Sequence, residues 1–130
     1  MGAWGAGIFD DDTALDIIGE IVDSDLDDYF EQAIGKCKKI DYIEYTECHE
    51  IILMAVIVDS IKNGKKYNND DVNTIAEKNK AMNYKKYRDD IKALLIRVVA
   101  DKSELNELWL ENKEDYPKWK ANIQAIISSI

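Results

Sequence analysis

The sequence predicts an all-α single domain, a bundle of six or seven helices entered through a glycine-rich irregular segment. Three observations predict it. Apolar residues recur at i, i+3, i+4 and i+7 in successive segments, helix-start and helix-stop residues separate those segments, and the one proline falls in the first turn of a helix. The 130 residues fit one domain, 1–130, and suffice for a core without metal or disulfide support. With 46% hydrophobic and 33% charged residues, the composition excludes a disordered chain.

Gly2, Gly5 and Gly7 alternate with Ala3, Trp4, Ala6, Ile8 and Phe9, too much glycine to begin a helix. Trp4 and Phe9 are the apolar anchors of this hook. Asp10, Asp11 or Asp12 then caps a helix in which Ala14, Ile17, Ile18, Ile21 and Val22 form the inward stripe. After Asp23-Ser24-Asp25 a second helix runs from about Leu26 to Lys39, with Tyr29, Phe30, Ala33, Ile34 and Cys37 inward. Acids open it and lysines close it, as the helix dipole favours.

The most apolar segment, Ile51 to Val58, would also suit a buried strand. Its flanks, Thr46 to Glu50 and Asp59 to Lys62, continue without a turn signal, so length selects a central buried helix that stops at Asn63-Gly64. A polar loop leads to a short helix over Asp71–Asn79. Tyr87, Ile91, Leu94, Leu95, Val98 and Val99 mark a long one over about Tyr84–Ala100. Asp101 and Glu104 have capping-box spacing and open a short helix with Leu105, Leu108 and Trp109. Pro117 starts the last helix, with Trp119, Ile123, Ile126, Ile127 and Ile130 on one face.

Net charge is −9, and it is lopsided. Residues 1–35 hold Asp10, Asp11, Asp12, Asp16, Glu20, Asp23, Asp25, Asp27, Asp28 and Glu31 without one Lys or Arg. The other 95 residues carry 16 acids and 17 bases, which nearly cancel. A negative face built by one end of the chain repels phosphate backbones and anionic membranes, so neither nucleic acid nor membrane is an expected partner. The longest apolar run is too short to span a bilayer, and the start lacks the basic and apolar regions of a secretory leader. Cys37 and Cys48 fit no metal-ligand spacing and read as reduced thiols; the expected location is the cytoplasm.

The opening Gly2-Ala3-Trp4-Gly5-Ala6-Gly7-Ile8-Phe9-Asp10 resembles that of a bacterial domain-of-unknown-function family, number 4259, whose members begin G-x-W-G-x-G-x-F followed by acids. Ser103-Glu104-Leu105-Asn106-Glu107-Leu108-Trp109 resembles the family's S-E-L-x-E-L-W segment. The resemblance implies a small bacterial domain and carries no assigned reaction.

Catalytic and metal motifs are weak. An EF-hand loop starting at Asp10 would need Gly and Glu where Leu15 and Ile21 stand, and helix capping accounts for the same aspartates. His49-Glu50 begins like H-E-x-x-H, but residue 53 is Leu. Cys48, His49 and Glu50 are neighbours on a helix and point to different sides. The pairs Glu47/Glu50 and Glu104/Glu107 arise readily in a chain with 26 acids. Residues 2–7 lack the strand and the Lys-Ser or Lys-Thr of a phosphate loop.

Two functional readings follow; the preferred one implies no cofactor. The first is an acidic protein-binding domain, immunity- or antitoxin-like, which uses Asp10, Asp11, Asp12, Asp16, Glu20, Asp23, Asp25, Asp27 and Asp28 to neutralise a basic, nuclease-type partner. On this reading the chain is not an enzyme. The second is a divalent-metal-binding or enzymatic domain with a site near Asp10, Asp11, Asp12, Asp16 and Glu50. A homodimeric scaffold is compatible with the same sequence.

Overall fold

The computed structural model describes residues 5–130. Seven helices are formed among them: α1 (Asp12–Val22), α2 (Leu26–Lys38), α3 (Tyr45–Asn63), α4 (Asp70–Lys78), α5 (Lys85–Val98), α6 (Glu104–Leu110) and α7 (Tyr116–Ser129). The described residues contain no β-strand; an isolated parallel bridge pairs Ile43 with Ser103.

The central helix organises everything else. Every residue of α3 from Cys48 to Ser60 is buried, and all six other helices pack against it. That is why its sequence has no polar face: a helix surrounded on all sides is apolar all round. Gly64 ends it with φ +65°, its N–H donating to the Ser60 carbonyl at 2.9 Å. A β-carbon is strained in that left-handed conformation, so the predicted stop has a backbone cause.

Capping follows the sequence closely, with one correction. Asp11, Asp25 and Asn69 accept from the amides of Ala14, Asp28 and Val72 at the starts of α1, α2 and α4. At α6 the cap is Ser103, which accepts from Asn106, and not Asp101. Glu104 does not reach back along its own helix. Its carboxylate accepts from the Tyr45 amide at 2.7 Å and so satisfies an orphan donor at the start of α3, where Glu44 supplies no side-chain cap. The Ile43–Ser103 bridge brings these two loops together, with the Ile43 amide donating to Lys102 and the Glu104 amide to Ile43, each at 2.9 Å.

Val22 is a second correction. It was expected inward, yet it is 42% exposed because it lies at the edge of the buried arc set by Ala14, Ile17, Ile18 and Ile21. Tyr29, Val99, Leu108 and Ile127 are half-buried at similar edges.

The irregular entry has a physical reason for its glycines. The Asp10 carboxylate folds back to accept from the Gly7 amide at 3.2 Å, and a β-carbon on Gly5 or Gly7 would lie 2.6 or 2.7 Å from Asp10 Oδ2. Phe9 anchors the hook edge-to-face on Tyr67, and Asn122 of α7 donates to the Ala6 carbonyl. The anchoring role expected of Trp4 lies outside the described residues.

Candidate functional site

Seven of the nine predicted acids reach solvent as one band. Asp12, Asp16, Glu20 and Asp23 follow one another at spacings of four, four and three, which keeps them on a single stripe of α1, and all four are exposed. That stripe runs about 16 Å along the helix. It meets Asp25, Asp27 and Asp28, also exposed, where the chain turns into α2. Asp25 caps α2, and Asp27 accepts from the Tyr87 hydroxyl at 2.8 Å. Among the described residues none of the seven is in an ion pair. Lys86, across from α2 on α5, pairs with Glu31 at 3.0 Å, and Lys78 of α4 lines a cleft with Asp25.

The other two acids leave the face. Asp10 is half-buried in the hook. Asp11 is only 2% exposed, because its side chain caps α1 and also faces α3. There the Tyr45 hydroxyl donates to Asp11 Oδ2, and His49 Nε2 lies 3.3 Å from the same oxygen. The imidazole is close enough for a charge contact but is not aligned as a hydrogen bond. Burial works to raise the Asp11 pKa; the His49 imidazole, the Tyr45 hydroxyl and the Ala14 amide outweigh it and hold the carboxyl at about 2. The Tyr45 ring packs edge-on against His49 at 4.8 Å between centroids. This cluster latches the hook and α1 to the start of α3.

Two further carboxylates are buried on α3. Glu50 accepts from Lys36 Nζ at 2.7 Å and from the Tyr29 hydroxyl at 3.2 Å, both on α2. Asp59 is fully buried and accepts from Tyr67, Ser129 and Asn63, with Lys65 Nζ at 3.8 Å. Burial alone would raise its pKa, but these donors bring it below the ordinary carboxylate value. Asp59 thereby ties the end of α3 to the following loop and to α7.

The carboxylates named for a metal or enzymatic site face different neighbours. Asp11 turns toward Tyr45 and His49, Glu50 toward α2, and Asp12 and Asp16 toward solvent. Cys48 contacts Ser103 and the Ile43 carbonyl, so three consecutive residues of α3 do point three ways. Among the described residues no three His, Cys, Asp or Glu side chains converge as a metal site would require. Both thiols are buried; burial, with Glu50 nearby, pushes Cys37 up to about 11, which keeps it a thiol near neutrality. No helix among the described residues is long and apolar enough to cross a membrane.

Tyr45, Asp59 and Lys36 are the polar residues that sequence reasoning passed over, while Tyr29 was read as inward but not as a partner of Glu50. Asp59 had a signal, a lone carboxylate at the end of an apolar run. Tyr45 and Lys36 had none, because their partners come from other segments.

Fold and surface together define a small all-α bundle with buried carboxylates at Asp11, Glu50 and Asp59 and exposed ones along α1 and the start of α2. The chain belongs to the DUF4259 family, a domain of unknown function, whose model matches residues 2–122. No curated protein matches the chain. No solved structure matches it either.

Proposed function

We propose that this chain is an acidic protein-binding domain that works in the bacterial cytoplasm and captures a basic protein, as an immunity or antitoxin-like protein neutralises a nuclease-type toxin. One observation carries the reading: seven acids from Asp12 to Asp28 are exposed, and among the described residues none of the seven is in an ion pair. Asp11, Glu50 and Asp59 are drawn into caps and pairs inside the fold; within the band Asp25 caps α2 and Asp27 accepts from Tyr87, while Asp12, Asp16, Glu20 and Asp23 face solvent. A nuclease holds phosphates with a basic surface, and an anionic band both steers toward that surface and covers it.

The test is affinity capture from source cells with the tagged wild-type chain and a D12K/D16K/E20K/D23K variant. These four residues are exposed on α1, and the variant is compared once its circular dichroism and melting match those of the wild type. A basic protein captured by the wild type and lost from the variant is the expected result. A neutral or acidic captured protein, equal capture by both chains, or no capture overturns the proposal.

A further inference from the structure

The solvent side of α1 carries more than charge. Gly19 sits at its centre, and its helical neighbours at i−4, i−3, i+3 and i+4 are Leu15, Asp16, Val22 and Asp23. Leu15 and Val22 are 39% and 42% exposed, two of the five large apolar side chains that the described residues leave open. They lie on one flank of Gly19, and Asp16 and Asp23 lie on the other. A β-carbon on Gly19 would meet nothing within 4 Å, and its φ is not positive, so neither crowding nor backbone geometry within the fold requires glycine there. Glycine is among the poorest helix formers. What it provides at an exposed position is a notch in which another backbone can come close. At its far end the flank reaches a cleft, lined by Val22 and Ile75 with Asp25, Asp71 and Lys78, between α1 and α4.

We infer that α1 is the docking surface for one amphipathic helix of a protein partner, an apolar ridge lying over Leu15, Gly19 and Val22 and lysines or arginines lying over Asp12, Asp16, Glu20 and Asp23. Charge complementarity selects this occupant. A purely apolar partner would leave the acidic row desolvated and unpaired, and a purely basic one would leave Leu15 and Val22 uncovered. Ridges at spacings of three and four are the surfaces helices use to pack on one another, and the notch at Gly19 permits close crossing. The inference rests on the basic-partner reading above and adds the partner's secondary structure and its apolar seam.

The probe is a synthetic 18-residue helical peptide with a leucine seam flanked by lysines, compared with a peptide of equal charge whose leucines are replaced by glutamine. Both are titrated into the isotope-labelled full chain and followed by amide chemical shifts. The leucine peptide is expected to shift the amides around Leu15, Gly19 and Val22, and to bind about tenfold or more tightly than its polar counterpart, since burying even one aliphatic side chain is worth roughly that factor. L15Q/V22Q should abolish the difference. Gly19→Gln should weaken the leucine peptide, whereas Gly35→Gln should not: Gly35 is equally unobstructed but is flanked by Glu31, Gln32 and Lys38 of α2 and by Lys39 just past its end. Both glutamines favour helix, so the variants fold. Equal affinity for the two peptides, with L15Q/V22Q behaving as wild type, overturns the seam and leaves the acidic reading standing. Shifts confined to other helices overturn the docking site. Absence of binding by either peptide removes both readings.

Discussion

Replacing Asp59 with alanine is expected to cost about 3–5 kcal/mol of unfolding free energy, read as a large fall in the urea midpoint. The size follows from what is left behind. Tyr67, Ser129 and Asn63 all donate to this fully buried carboxylate, and Lys65 approaches to 3.8 Å. Removing the acceptor strands several donors where little water can replace it, and breaking a buried charged network costs several kcal/mol, unlike loss of a surface pair. For a domain stable by only about 5–15 kcal/mol that is a large share. Asp59→Asn keeps an acceptor and should cost about half as much, because the hydroxyls of Tyr67 and Ser129 can turn to accept. A loss below about 1 kcal/mol for the alanine variant contradicts the role given to Asp59 as the tie between α3 and α7.

The second large effect is pH-dependent and belongs to Asp11. Its pKa falls from 3.8 to about 2 in the folded chain. A carboxyl depressed in this way contributes stability that is fully present above the unfolded value and is lost as pH falls through the folded value. The depression corresponds to about 2 kcal/mol. Wild type should therefore exceed Asp11→Asn by about that amount at pH 5 to 7, and the gap should narrow from pH 4 and close near pH 2. Paired urea titrations across that range measure it. A gap that is constant with pH would show that capping of α1, and not the charge beside Tyr45 and His49, accounts for the burial of Asp11.

These two carboxylates also show where sequence reading succeeds and where it stops. Capping is local, so an acid at the start of α1 sits where helix chemistry needs it, and Gly64 ends α3 as expected. The centrality of α3 was legible as well, since an apolar stretch flanked by helix-compatible residues over that length fits a buried helix better than a strand. Capping spacing alone misplaced the start of α6: Asp101 and Glu104 satisfy the pattern, but Ser103 takes the cap and Glu104 serves α3. No local rule reveals a carboxylate that crosses between two loops. The same applies to Asp11, whose second role depends on Tyr45 arriving from residues far along the chain.

The acidic exterior was legible as charge and position, because seven of nine aspartates and glutamates fall on the exposed side of α1 or at the opening of α2. The apolar flank beside it was not. Val22 belongs to the inward stripe by spacing, and its exposure depends on where α3 and α4 leave α1 uncovered.

Whether loose carboxylates on α1 and the start of α2 draw in a cationic protein is decided most directly by the association rate of the isolated complex as a function of ionic strength. Electrostatic steering raises association from about 10⁵–10⁶ toward 10⁸ M⁻¹s⁻¹ at low salt, and salt screens it away. A steep fall in the rate constant between about 20 and 300 mM salt, flattened in D12K/D16K/E20K/D23K, is the predicted result. A rate constant indifferent to salt in the wild-type chain would contradict it.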